Sequence, residues 1–200
     1  MSRVLLLATR NAGKLRELGR LLAAAGFEAR TLDQAGITES PDEDALEAFD
    51  TFEANALAKA RHFHRRSGLP TVADDSGLAV DAIGGRPGVH SKRWSARADL
   101  SGRALDDANN DMLRRALDGV PDRRAHYVCA AAFVDAERTV VTRGEVDGDI
   151  TVAPYGASGF GYDPFFRSVE LGLTFGEATR EAKERVSHRG RAFRALVAQL

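Results

Sequence analysis

Arg3-Val4-Leu5-Leu6-Leu7-Ala8 runs directly into Thr9-Arg10-Asn11-Ala12-Gly13-Lys14, after which Leu15, Leu18, Leu21 and Leu22 recur at helical spacing. The apolar run reads as a buried strand, because a short stretch without polar alternation has both faces covered. The leucines form one apolar helix stripe. Gly26 stands where a helix C-terminal glycine belongs, and Phe27 to Leu32 resumes as a strand. Residues 33–49 read as a polar, acidic connection. A second helix is expected from near Asp50 or Thr51 to Gly68. Asp50-x-x-Glu53 offers it a capping-box start, and Phe52, Ala56, Ala60 and Phe63 give it an apolar stripe.

Further along, Thr71-Val72-Ala73 predicts a short strand that ends in the turn Asp74-Asp75-Ser76-Gly77. Leu78 to Ile83 is extended again before the turn-rich Gly84-Gly85-Arg86-Pro87-Gly88. Ser101 can cap a helix ending at Gly119. Tyr127 to Val134 and Arg138 to Arg143 read as strands joined around Asp135-Ala136-Glu137, with Gly144 to Ala153 continuing the sheet. Pro154 to Phe166 is a Gly- and aromatic-rich loop, and the chain from Thr179 is mostly helical. The pattern is α/β, alternating early and more antiparallel in the middle, and it reads as one domain over residues 1–200 with two lobes.

Composition narrows the function classes. The 200 residues are 44% hydrophobic and 28% charged, an ordinary globular balance. Basic residues number 28 and acidic residues 29, which argues against coating nucleic acid or an anionic membrane. The single Cys129 excludes an intramolecular disulfide and suits a reducing cytoplasm. The longest apolar stretch, Val128 to Val134, is too short to span a bilayer. The near-zero sum hides an asymmetry. Residues 39–53 carry seven carboxylates and no base, whereas residues 180–194 carry six basic residues against two acidic ones.

Five segments could carry chemistry. Residues 9–14 lead into a helix N-terminus, where backbone N–H groups and the dipole favour an anion and Lys14 adds a point charge. They are not a Walker A motif, since Ala8 stands where its first glycine would be and Leu15 follows the lysine. An Asn-capped helix start with an exposed lysine fits equally well. Adjacent Asp74 and Asp75 must point to different sides if strand geometry continues, so one can face a cleft. A carboxylate there can hold Mg²⁺ or take a proton from water, though an ordinary Asp-Ser-Gly turn reads the same.

The acidic run brings Glu47 and Glu53 close to the start of the second helix, with Lys59 further along it. Such runs also serve simply as solvated surface. In Ser158-Gly159-Phe160-Gly161-Tyr162-Asp163-Pro164-Phe165, glycines beside aromatics can free a ring to stack on a base, or the segment is a buried aromatic corner. Lys183 and Ser187-His188-Arg189-Gly190 offer donors for carbonyl or phosphate oxygens, or form a basic solvated face. Zinc is not expected, because His62 and His64 diverge on a helix and Cys129 has no cysteine partner. Cys129 itself reads as a core residue.

Taken in order, these motifs resemble the inosine/xanthosine triphosphate pyrophosphatases, over essentially the whole chain. The landmarks are Thr9 to Lys14, Thr51-Phe52-Glu53-Ala54-Asn55-Ala56 with Lys59, Ala73 to Leu78, Gly84 to Gly88, Gly159 to Pro164 and Ser187 to Gly190. Two positions depart from the family pattern, Ala54 where it usually has Glu and His90 where it usually has an aromatic. The first leaves the metal-ligand set open between Glu47 and Glu53. The resemblance implies an elongated mixed α/β fold with two lobes and a central nucleotide-binding cleft, and a homodimer. It implies Mg²⁺-dependent hydrolysis of ITP, dITP and XTP to monophosphate and pyrophosphate, clearing these bases from the nucleotide pool. Asp75 would be the catalytic carboxylate and, with Glu47, a metal ligand. Thr9, Arg10, Asn11, Ala12, Gly13, Lys14, Lys59 and Ser76 would bind substrate. Phe160, Gly161, Tyr162, Asp163, Lys183, His188 and Arg189 would complete the nucleotide contacts. A pyrophosphatase for pyrimidine or modified nucleotides and a non-catalytic nucleotide sensor are the rival readings.

Overall fold

The computed structural model describes residues 3–200, with residue 44 described by its backbone alone. The elements, in chain order, are β1 (Arg3–Leu7), α1 (Ala12–Ala24), β2 (Phe27–Thr31), α2 (Phe52–Ser67), β3 (Thr71–Val80) and β4 (Arg86–Pro87). They continue with α3 (Gly102–Ala116), β5 (Arg124–Val134), β6 (Thr139–Ile150), β7 (Phe166–Ser168), α4 (Arg180–Val186) and α5 (His188–Val197). The strands form a mixed sheet in the order β2-β1-β3-β5-β6-β7, with β4 paired to β3. Among the described residues no helix is long and apolar enough to cross a membrane.

The chain divides into two compact units, neither continuous in sequence. The first holds the residues through Asp75, Cys129–Gly144 and Arg189–Leu200. Here β1 pairs in parallel with β2, Leu5 opposite Ala29, and with the start of β3, Leu7 opposite Val72. The crossover is α1, which starts because Asn11 Oδ1 accepts the Lys14 N–H at 3.1 Å. The helix stops at Gly26, which adopts φ +83°. Leu18 and Leu22 face Leu5, Leu7, Val72, Phe133 and Phe193 in the core. Each fully buried Leu or Phe contributes about 1.5–3 kcal/mol relative to exposure.

The second unit holds Ser76–Val128 and Glu145–His188. Its pairing is antiparallel, Ala79 opposite Pro87 and Asp149 opposite Arg167. Leu78, Val80, Leu113, Tyr127, Phe166 and Phe175 form its core.

Several local expectations change. The strand expected to stop at Ala73 continues through Asp74-Asp75-Ser76-Gly77 to Val80, because both carboxylates find partners that spare them a turn. The acidic connection contains a 3-10 helix, Pro41–Glu47. It is closed by the Glu43 carboxylate, which accepts the Ser40 N–H at 3.3 Å. Helix α2 is capped by Thr51, whose Oγ1 accepts the Ala54 N–H at 3.2 Å, instead of by an Asp50–Glu53 box. Helix α3 follows Ser101 but ends at Ala116, and the Ser101 side chain makes no capping bond.

Candidate active site

Strand alternation sends the two neighbouring carboxylates of β3 into different surroundings. Asp74 is fully buried. Its Oδ2 meets Lys14 Nζ at 2.9 Å and accepts from Arg189 Nε at 3.3 Å. Arg189 also donates through Nη1 to Glu17 at 2.5 Å. Lys14 and Glu17 lie three apart on α1, so one helix face supplies a cation and an anion to this network. Burial alone would raise the Asp74 carboxyl, but Lys14, Arg189 and Lys59 outweigh it and hold it far below the ordinary carboxylate range. The same carboxylates raise Arg189 against its own burial.

Asp75 points the other way. Its Oδ2 accepts from Asn55 Nδ2 at 2.8 Å, and its Oδ1 lies 4.0 Å from Lys59 Nζ. Lys59 in turn donates to Glu47 at 2.7 Å. Asn55 is itself fixed by Phe49, accepting its N–H at 2.9 Å and donating to its carbonyl at 3.2 Å. Burial pushes the Asp75 carboxyl up; Lys59 and Lys14 oppose this and Glu47 adds to it, so the net shift is upward. Lys59 moves up as well, since Glu47, Asp75 and Asp74 overcome its desolvation. Two adjacent residues of one type are thus driven apart, one locked as an anion and one made a better proton acceptor. That pairing marks sites of acid–base chemistry.

The expected site residues separate by partner. Lys14, Asp74 and Arg189 come together, as do Glu47, Lys59 and Asp75. Glu53 does not join them; it accepts from Arg143 Nη1 at 2.7 Å. Arg10 turns from its loop to Glu43, donating through Nε at 2.7 Å and Nη2 at 2.8 Å, and thereby holds the 3-10 helix that carries Glu47. Thr9 Oγ1 accepts the Asn11 N–H at 3.3 Å. The first-turn N–H groups of Ala12 and Gly13 have no intrahelical carbonyl to bond, as at any helix start.

In the second unit, Ser76 follows Asp75 along β3 and is half-buried. The Asp163 carboxylate receives the Phe160 N–H at 2.8 Å and Lys183 Nζ at 2.6 Å. Lys183 Nζ lies 5.2 Å from the centre of the half-buried Phe160 ring. Gly159 is required there, since a Cβ on it would stand 2.0 Å from Asp163 Oδ2. Tyr162 is a core residue whose hydroxyl donates to the Ser91 carbonyl at 2.8 Å. Gly161 is half-buried, and His188 stacks on Tyr127 with ring centres 4.5 Å apart.

The sequence offers Asp74 and Asp75 as a pair without assigning Asp74 a role of its own, and it gives no role to Asn55 or Glu17. Asn55 carries a usable signal, standing one helical turn before Lys59, but the target of its amide is visible only in the fold. Among the described residues no three His, Cys, Asp or Glu side chains gather as a metal cage.

Comparison with known proteins identifies the family. The Ham1 family profile matches residues 5–199. The dITP/XTP pyrophosphatase of Burkholderia pseudomallei is 46% identical over 200 residues, covering 98% of this chain and 92% of the relative. A crystal structure of the nucleoside-triphosphatase/dITP/XTP pyrophosphatase from Mycobacterium abscessus superposes with a TM-score of 0.73 at 43% identity, covering 96% of this chain and 98% of that one. A HAM1 protein from Coxiella burnetii superposes with a TM-score of 0.83 at 30% identity, covering 98% of each chain. Matched along nearly its whole length in sequence and in fold, the chain belongs to the Ham1 family.

Proposed function

We propose that the chain is a dITP/XTP pyrophosphatase that also takes ITP. It hydrolyses the bond between the α and β phosphates and so keeps these bases out of DNA and RNA. The observation that carries the chemistry is the opposed environment of Asp74 and Asp75. Water attacks the α-phosphorus, its proton passes to Asp75, and the α–β bridging oxygen leaves with pyrophosphate. The raised Asp75 carboxyl is the better acceptor, and Asn55 orients it through Oδ2. Asp74 holds Lys14 in place for the phosphates and ties Arg189 to the same carboxylate.

Thr9, Arg10, Asn11, Ala12, Gly13 and Lys14 form the phosphate-binding loop, with Lys59 and Ser76 as further contacts. Within the loop Arg10 acts by fixing Glu43. Mg²⁺ suits the donor set. The carboxylates of Glu47 and Asp75 already flank one cationic group, Lys59 Nζ, at 2.7 and 4.0 Å. Magnesium is commonly held by one or two carboxylates together with substrate phosphates, not by a full protein cage. Glu47 and Asp75 would hold the ion, which would supply charge neutralisation on the phosphates.

Phe160, Gly161, Tyr162 and Asp163 form the base-binding loop, the Phe160 ring offering a stacking face and Tyr162 anchoring the turn through Ser91. Lys183, His188 and Arg189, through side chain or backbone, donate to the C6 oxygen shared by hypoxanthine and xanthine. Adenine, with an amino group at C6, would leave those donors unpaired. The reading extends to a single catalytic domain over residues 1–200, a homodimer and a cytoplasmic location, without nucleic-acid or membrane partners.

A panel of triphosphates with Mg²⁺ tests it. dITP, ITP and XTP should release pyrophosphate, with ATP and GTP far slower. Release of inorganic phosphate, or preference for pyrimidines, would overturn it.

A further inference from the structure

The helix α3 buries polar side chains on the face where an amphipathic helix would carry apolar ones: Asn109 and Asn110 are both buried beside Leu113. Asn109 is accounted for locally. Its Oδ1 accepts the Ser95 N–H at 2.8 Å and its Nδ2 donates to the Lys92 carbonyl at 3.0 Å. Asn110 and Asp106, four apart and therefore on one face, reach instead to a residue more than fifty positions later. Asp106 Oδ2 accepts the Gly161 N–H at 3.0 Å, and Asn110 Nδ2 donates to the Gly161 carbonyl at 3.0 Å. The other end of Asn110, Oδ1, is buried and bonds to none of the described residues. Among the described residues its amide therefore makes one hydrogen bond, to Gly161.

Gly161 is held at φ +62°, a conformation that glycine adopts without strain. Its predecessor is Phe160. The Phe160 N–H is fixed by Asp163, and Lys183 holds the same carboxylate oxygen. Phe160 thus lies between two anchors, Asp163 at its own N–H and α3 at the next residue. A ring that stacks on a base must keep its height and tilt, and a two-point grip on the adjacent peptide groups restricts both.

We propose that Asp106 and Asn110 are positioning residues for base recognition, gripping Gly161 by both backbone groups so that the Phe160 ring is presented at a fixed height. The proposal rests on the reading of Phe160 as a base contact.

The test compares Asp106→Ala, Asp106→Asn, Asn110→Leu and Phe160→Ala. It measures kcat and KM for dITP, the ratio of kcat/KM for dITP over dATP, and competitive inhibition by inorganic tripolyphosphate, which has no base. Asp106→Ala and Asn110→Leu should each raise KM about three- to tenfold, the value of one hydrogen bond. The dITP/dATP ratio should fall with it, while kcat and the tripolyphosphate inhibition constant stay within about twofold. Asp106→Asn should restore the wild-type KM, because its amide oxygen still accepts from Gly161 although the ion pair to Lys92 at 3.6 Å is lost. A raised KM in Phe160→Ala with none in Asp106→Ala and Asn110→Leu overturns the proposal. So does a tripolyphosphate constant that rises in step with KM, the mark of general damage to the fold. An unchanged KM in Phe160→Ala overturns the underlying reading of the loop, and the proposal with it.

Discussion

Asn replacing Asp at 74 and at 75 is the same change at neighbouring positions of one strand, yet the surroundings call for opposite effects on stability. Asp74 is fully buried between Lys14, with 13% of its side chain exposed, and Arg189, with 4%. Removing its charge leaves Lys14 without this buried counter-charge and weakens the hold on Arg189, which keeps Glu17. Breaking one member out of a buried ionic network costs about 3–5 kcal/mol. In a chain of this size that corresponds to a fall in Tm of about 6–20 °C.

Because the folded carboxyl of Asp74 is depressed, its stabilisation is present above the unfolded pKa of about 3.9 and lost as pH falls through the folded value. The gap between wild type and Asp74→Asn should therefore be full at pH 7 and shrink below about pH 4. Asp75 has the reverse sign. Its folded carboxyl is raised, chiefly by burial, so its contribution is present below the unfolded pKa and lost as pH rises through the folded value. At pH 7 the charged form is a net cost, and Asp75→Asn should unfold no more easily than wild type. Denaturant unfolding of the three proteins at pH 7 and pH 3.5 reads both effects. An Asp74→Asn variant within about 1 kcal/mol of wild type at pH 7, or a gap that does not shrink in acid, would refute the reasoning.

Three further outcomes follow from single contacts. Glu47→Gln should raise the Mg²⁺ needed for half-maximal turnover about tenfold or more, while Glu53→Gln, which loses only its pair with Arg143, should leave that requirement unchanged. Gly159→Ala, whose Cβ would stand 2.0 Å from Asp163 Oδ2 at φ +79°, should raise KM for dITP and cost about 1–3 kcal/mol in denaturant unfolding. Cys129 is fully buried and its thiol is pushed up by burial and by Asp74. Iodoacetamide should label it only in the unfolded protein, and mass spectrometry of native protein would expose any exception.

The early strand–helix–strand unit was legible because each element announces its own period, and Asn11 and Gly26 mark the helix ends in the sequence itself. The continuous β3 was not. Asp74-Asp75-Ser76-Gly77 has the composition of a turn, and only partners far along the chain make it a strand; Arg189 lies 115 residues from Asp74. The 3-10 helix that carries Glu47 does not stand out within the acidic run, because its stabilising contacts, Arg10 and Arg66 on Glu43, are tertiary. Glu47 and Glu53 could not be separated by position, as both lie near the start of α2. In the fold they differ by their partners, Lys59 for one and Arg143, 90 residues away, for the other. For Tyr162 the sequence offers a buried aromatic corner, which the structure shows, but its bond to Ser91 depends on packing that no local pattern encodes.

The central claim is that Asp75 takes the proton from the attacking water. It is tested most directly by the rate of pyrophosphate release from dITP by Asp75→Asn, measured beside equilibrium binding of dITP to the same protein. The account predicts a loss of about 10²–10⁴ in kcat with binding largely retained. Turnover near the wild-type rate would contradict it.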